Sequence, residues 1–406
     1  MSLIKSALKR IIPLKLRRMP KTLIKKYCES MRNRRLKTEL ERLIEKAPSV
    51  SSISKVLDFV NSCSTGNESV VYTPRLSIGC MYNDVYALLL KGLLLDEKDR
   101  NNKAVKSLIE NILRSQDDDG LFRDLSIKNE IAETEDWWGW RHLAVHASNA
   151  LALYGVKPEK PFSVLEPLYG MGAATKWVAC LDWENNACNE SNKIMNYGVM
   201  LQYERDFKGN KKAKRALAEI FEWLNLHQDA KTGLWGLEQH KAAYDLSIGV
   251  QTAYHIWILY FYEGRPIQYI ERCIDSCLRT QNKLGGFGEP WNSSACEDID
   301  SIDPLCRFYF MKDYRRDDIK KAFLKSISWI LANQNEDGGF VFRRFEPLEY
   351  GHELLATKPD ESGLFPTWFR TLALAYISKV IPEHPLFTNT NFHFSNCPGY
   401  QFWVGN

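Results

Sequence analysis

No stretch of this 406-residue chain reaches the ~18–20 consecutive apolar residues that a bilayer crossing needs. The N-terminus is basic but lacks the clean apolar core and small-residue cleavage site of a secretory signal, so no export is expected. The ten cysteines are scattered without a single Cys-x-x-Cys. Only Cys273 and Cys277 lie close together, at helical spacing. That excludes a zinc knuckle or a disulfide framework and makes a reducing cytoplasm the expected compartment. Gly-rich phosphate loops and the pattern of a long parallel sheet are also missing. Acidic residues are scarce at one end only: residues 1–37 carry thirteen Lys/Arg against the single acid Glu29, which leaves the remainder net acidic by eight.

That basic end interleaves Leu3, Ile4, Leu8, Ile11, Ile12, Leu14, Leu16, Leu23 and Ile24 with its charges, and Pro13 and Pro20 break it into short pieces. Such a segment suits adsorption to an anionic leaflet, at roughly 1 kcal/mol per basic residue near the surface. A solvated tail is the competing reading. Nucleic acid is not expected as a partner, because the body is acidic and no reading element is evident. The expected division is a basic extension over 1–48, a main domain over 49–385, and an irregular tail over 386–406. The expected location is cytoplasmic, with the basic segment at the inner membrane face.

The chain is 45% apolar and 12% aromatic, enough for a large core. Its organising feature is the phrase Gln-x-x-x-Gly-Gly-Phe, present at Gln281–Phe287 and Gln334–Phe340. Looser versions occur at Gln116–Phe122 and Gln228–Trp235. The last two intervals are each 53 residues and the first is about twice that, the mark of stacked supersecondary units. In each unit an outer helix ends near the Gln, whose amide satisfies neighbouring helix ends. The glycines permit a positive-φ turn, and the aromatic plugs the gap between helices. Inner helices are predicted over 245–262, 297–310 and 366–380. The fold expected is all-α, an (α/α) toroid of five to six hairpins.

These repeats, over roughly residues 100–385, resemble the α/α-toroid superfamily of terpenoid cyclases and protein prenyltransferase β subunits, with repeats of the prenyltransferase/squalene oxidase (QW-like) type. Within it the chain is most similar to bacterial single-barrel members met near surface-polysaccharide genes. The resemblance implies an acid-catalysed isoprenoid chemistry. The segment Cys296–Asp303 resembles the Asp-x-Asp-Asp motif of class II cyclases, in which an aspartic acid protonates an alkene or epoxide. Asp298 and Asp300 match the first two acids, Ser301 stands where the third is expected, and Asp303 shares a face with Asp300. The structural alternative is capping: Ser294-x-x-Glu297 reads as a capping box, and acids in a first turn favour the helix dipole. Zinc prenyltransferases need an Asp-x-Cys pair. Here the order is reversed in Cys296-x-Asp298, so no metal and no cofactor are expected.

Further candidates come from the residues themselves. Trp137, Trp138 and Trp140 crowd into four positions, suited either to stacking on a ligand or to interhelical packing. His142 and His146 follow at i,i+4, without the Glu of a zinc helix. His255 sits in an apolar helix after Tyr244 and Asp245, where an acid on a neighbouring helix would tune it toward neutrality. Tyr350, His352 and Arg370 in the last repeat supply a Tyr/His/Arg set suited to a uronate or another anion. The expected catalytic residues are Asp298, Asp300, Asp303 and His255. The expected substrate contacts are Trp137, Trp138, Trp140, His142, Tyr244, Asp245, Tyr350, His352 and Arg370. The expected ligand is a small-molecule or lipid-linked isoprenoid, with no obligate protein partner. The alternatives are a carbohydrate-active enzyme or glycan-binding toroid of polysaccharide biosynthesis, and a non-catalytic scaffold.

Overall fold

The computed structural model describes residues 21–47, 53–66, 69–127, 131–236, 246–288 and 291–403. The chain divides into one unit ending at Ala47 and a second spanning Pro48–Asn406. The first contains helix α1 (Lys21–Lys46), whose surface pairs Arg35 with Glu39 and Lys37 with Glu41 at i,i+4. Most of the segment expected to touch membrane, residues 1–20, lies outside the described residues. Among the described residues no helix is long and apolar enough to cross a membrane.

Among its described residues the second unit is all-α apart from a ribbon of two two-residue strands, β1 (Leu348–Glu349) with β2 (Ala356–Thr357). Its outer helices are α2 (Ser54–Ser62), α4 (Lys103–Arg114), α6 (Ala173–Ala179), α8 (Lys211–Leu226), α10 (Ile270–Arg279) and α12 (Arg316–Ala332). Each is followed by an inner partner: α3 (Met81–Leu94), α5 (Trp140–Ala152), α7 (Ala187–Lys208), α9 (Leu246–Glu263), α11 (Ala295–Met311) and α13 (Leu364–Val380). Every inner helix packs on the next, and α13 packs back on α3, closing the ring. The two layers differ as their positions demand. Outer α10 buries Cys273, Ile274 and Cys277 while Arg272 and Arg279 stay outside. Inner α13 is buried over nearly its whole circumference, as expected for a helix covered on every side.

The repeated phrase builds the joint between hairpins. Gln116, Gln281 and Gln334 each form an antiparallel bridge with the aromatic six residues on: Phe122, Phe287 and Phe340. The Gln amides donate back to the turn, at Gly120 O (3.0 Å), Gly233 O (2.8 Å), Gly285 O (3.0 Å) and Gly338 O (2.9 Å). They also reach forward: Gln281 donates to Ala322 O at 2.8 Å, tying its turn to outer helix α12. The first glycine of the pair is obligatory at both strict copies. Gly285 and Gly338 have φ of +101° and +89°, and a Cβ on Gly338 would lie 2.0 Å from the Lys55 carbonyl oxygen of α2. The last phrase therefore locks onto the first outer helix. Gly338→Ala is expected to lower stability by about 2 kcal/mol or more, read as a fall in Tm, because a strained φ and a backbone clash add.

Two hairpins carry the joint without its sequence. Ser64 bridges Val70, and Val71 N–H donates to Cys63 O at 2.9 Å, matching Gly288 to Thr280 and Val341 to Asn333. In the third hairpin the outer element is only a 3-10 turn (Ser163–Leu168) and the short α6. Trp183 follows it, donating its indole N–H to Val178 O at 2.9 Å as Trp235 donates to Leu224 O. This degenerate hairpin accounts for the doubled interval between Gln116 and Gln228.

Candidate functional site

The inner helices bring the acidic segment of α11 into the ring. The Ser294–Glu297 capping box forms as read from sequence: Ser294 Oγ accepts from Glu297 N–H, and Glu297 Oε2 accepts from Ser294 N–H. Glu297 also pairs with Arg343 at 2.8 Å, so it has a structural occupation.

Asp298 is equally committed. Its Oδ1 accepts from Phe287 N–H (2.8 Å) and Ser293 Oγ (3.0 Å), and its Oδ2 accepts from the Trp329 indole (2.9 Å) and Arg370 Nη1 (2.5 Å). The same device recurs in other hairpins, where Asp84 accepts from Val70 N–H (3.1 Å) and Thr367 from Phe340 N–H (2.9 Å). The fourth position of these inner helices thus holds the turn before it. Burial pushes the Asp298 carboxyl upward, while Arg370 and the three other donors oppose that. Four donors on two oxygens are accepted in full only by the carboxylate form.

Asp303 anchors the opposite end. It accepts from Tyr254 OH (2.9 Å) and Arg307 Nε (2.6 Å), and Arg307 donates onward to Phe402 O (2.6 Å) and Tyr376 OH (3.2 Å). Residues 381–403 are non-helical and cross this end of the ring. Asn149 holds Cys397 O, Tyr376 OH donates to Tyr400 O, and Gln401 bridges the Trp368 indole and Leu89 O. Arg307→Ala is expected to strand the Asp303 charge and free the segment, giving new protease cleavage between 386 and 403. An unchanged digestion pattern would contradict the anchoring role.

Asp300 differs from its neighbours. It is buried, yet among the described residues its carboxyl has neither a hydrogen-bond donor nor a cation. Burial raises its pKa well above the ordinary carboxylate value, and Glu297, Asp298 and Asp303 add to the rise. Pro304 lies inside α11, so the Asp300 carbonyl also lacks its i+4 amide partner. The carboxyl faces the ring interior, where its charge acts on Tyr254, Tyr400, Cys188 and Cys296. Ser301, which stands in place of an acid, points elsewhere, with its hydroxyl 3.4 Å from Thr280 Oγ1 behind α11.

Tyr254 and Tyr400, on which Asp300 acts, belong to a cluster of aromatic rings. Tyr400 lies 5.3 Å from His146, 5.8 Å from Tyr254, 5.4 Å from Phe369 and 6.0 Å from Trp368. Tyr86 stacks on Trp368 at 5.5 Å. Nearer the helix N-termini, Tyr350 stacks on Phe365 at 4.4 Å and meets Trp137 edge-on at 5.5 Å, its hydroxyl donating to Trp137 O.

Of the three inner histidines, only His255 is expected from the sequence as a tuned base, with an acid as its partner. His255 is partnered by Ser191 Oγ (2.9 Å) rather than by an acid, and burial, with His142, pushes it down to about 3. His142 bonds Asn196 (3.2 Å) and His146 (2.9 Å). Burial pushes His142 down to about 4 and His146 well below the ordinary value. Among the described residues no three His, Cys, Asp or Glu converge as metal ligands.

Of the expected ligand contacts, Trp138 and Trp140 are buried and Trp137 is half-exposed. Arg370, fully buried, donates to Val341 O, Ser293 O and Phe342 O as well as Asp298, so it holds loops together instead of presenting a clamp. His352 accepts from Leu354 N–H at 3.2 Å and caps a short turn. Tyr244 and Asp245 lie outside the described residues. Sequence reasoning missed Tyr400 as a site residue, since the tail carries no period that would aim it inward.

No protein-family model and no curated protein matches this chain. Among solved structures it is similar to MstE, a type II terpene cyclase from Scytonema in complex with geranylgeranyl dihydroxybenzoate, at 10% identity and a TM-score of 0.28, over 76% of this chain and 74% of that one.

Proposed function

We propose that this toroid is a cyclase-like enzyme that protonates an alkene of an isoprenoid or lipid-linked substrate, with Asp300 as the general acid. The observation that carries the reading is the isolation of the Asp300 carboxyl. Asp298 and Asp303 are consumed by Arg370, Arg307 and four other donors, whereas Asp300 has no partner among the described residues and three acids around it. Burial and three neighbouring acids raise this carboxyl and so favour its protonated form, which is the state a proton donor requires.

In the reaction, the Asp300 O–H bond breaks as a C–H bond forms on the alkene, leaving a carbocation on the substrate and a carboxylate on the protein. The faces of Tyr86, Trp368, Phe369 and Tyr400 supply π density to that cation. A neighbouring alkene then closes onto it, and loss of a proton to solvent, with Asp300 reprotonated from solvent, ends the sequence with substrate and product of equal mass. No oxidant, reductant or cofactor enters the balance. The glycan reading needs exposed stacking platforms; Trp138, Tyr350 and Arg370 are buried and Trp137 is half-exposed.

The test is incubation with linear polyprenyl alcohols and polyprenylated phenols, followed by a search for isomers of unchanged mass with fewer alkenes. Such isomers support the reading; their absence across the series, with the folded protein, overturns it.

A further inference from the structure

Resting on the isoprenoid reading, we propose that Tyr400 is a specificity-determining residue: it is the stop that fixes how deep an apolar chain enters past Asp300. Tyr400 belongs to none of the six hairpins, yet its ring sits among the inner faces of three of them. His142 and His146 of α5, Tyr254 of α9, and Trp368 and Phe369 of α13 all lie within 6.3 Å between ring centroids. It stands beside the acid, since after burial the Asp300 charge is the first influence that raises its phenol. Like Asp300, the Tyr400 side chain has no hydrogen-bond partner among the described residues. Its neighbour Tyr254 is by contrast held through its hydroxyl by Asp303, and Tyr350 by Trp137 O, while the buried Tyr86 hydroxyl is unbonded too.

The backbone that carries Tyr400 is fixed from several sides. Tyr376 OH donates to its carbonyl, Arg307 holds the Phe402 carbonyl, and Gln401 is clasped by Trp368 and Leu89. A firmly held backbone with an unbonded side chain is the arrangement of a wall and not of a crosslink. Because the anchors lie on neighbouring residues, the ring of Tyr400 can be changed while the segment stays docked.

The test measures binding of two probes, farnesol and its one-isoprene-longer homologue geranylgeraniol, by quenching of tryptophan fluorescence in full-length wild type, Tyr400→Ala and Tyr400→Trp. Tyr400→Ala opens depth that only the longer chain fills, so its Kd ratio is expected to move toward geranylgeraniol by about tenfold. Tyr400→Trp is expected to move the ratio toward farnesol. Thermal melts check folding, and if the Ala variant does not fold the Trp variant decides. Unchanged ratios in folded variants overturn the depth role and leave the isoprenoid reading standing. Failure of wild type to bind either alcohol overturns both.

Discussion

Replacing Asp300 with Asn is expected to abolish turnover, by about 10³-fold or more, and at the same time to stabilise the protein at neutral pH. The first effect follows from removing the proton that begins the reaction while leaving a side chain of the same size. The second follows from linkage. The folded-state pKa of Asp300 is raised, so the fold favours its protonated form. Stability from this group is therefore greatest below the ordinary carboxylate pKa. It declines as pH climbs from that value toward the raised one, by about 1.4 kcal/mol per pH unit inside the window. Activity follows the same direction, lost as pH rises through the raised value. Asn carries no ionisable proton, so the variant lacks this slope. Chemical denaturation of wild type and variant across the acid-to-neutral range checks it. Parallel curves would show that Asp300 has an ordinary pKa.

Removing Arg370 is expected to be the most destabilising single change in the ring, costing about 3–5 kcal/mol in Arg370→Ala. Arg370 is fully buried on α13, and it joins Asp298 of α11 to carbonyls from the segments that lead into α11 and α13. Without it, Asp298 is a buried carboxylate with no cation, the Ser293 and Val341 carbonyls lose their donor, and the Phe342 carbonyl keeps only the Ala295 N–H. Arg370→Lys should recover little, since one ammonium cannot span partners arranged for a planar fork. Adding Asp298→Asn to Arg370→Ala should restore part of the loss, because the stranded charge goes with it. A cost near 1 kcal/mol for Arg370→Ala, or no rescue in the double variant, would contradict this assignment.

The ring itself was legible in the sequence because each side chain of the repeated phrase has one geometric task. Gln281 and Gln334 reach across the turn, the following glycine takes positive φ against the next outer helix, and Phe287 and Phe340 fill the gap. The first and third hairpins lack the phrase because the backbone can make the same joint without those residues. Ser64 and Val70 bridge as Gln and Phe do elsewhere, and Trp183 serves where no Gln-Gly-Gly is present.

In the acidic segment, sequence gave the cluster but not its division of labour. Asp298, Asp300 and Asp303 share one residue type and one helix, and only their partners distinguish them. The arginines that commit two of them come from elsewhere: Arg307 one turn on along α11, Arg370 from the next inner helix. Asp298 occupies the position that Asp84 and Thr367 hold in other hairpins, so its match to a catalytic motif has a purely structural source as well. Tyr400 was illegible for a different reason. An irregular tail has no periodicity, and only its anchors on Leu89, Arg307, Trp368 and Tyr376 turn it inward.

The central claim is that Asp300 is held as a neutral carboxylic acid in the folded ring at neutral pH. The infrared difference spectrum between wild type and Asp300→Asn at neutral pH tests it most directly. A carboxylic acid C=O stretch present in wild type, absent in the variant and lost from wild type only on alkaline titration, is the predicted result. A difference spectrum showing only carboxylate bands at neutral pH would contradict the account.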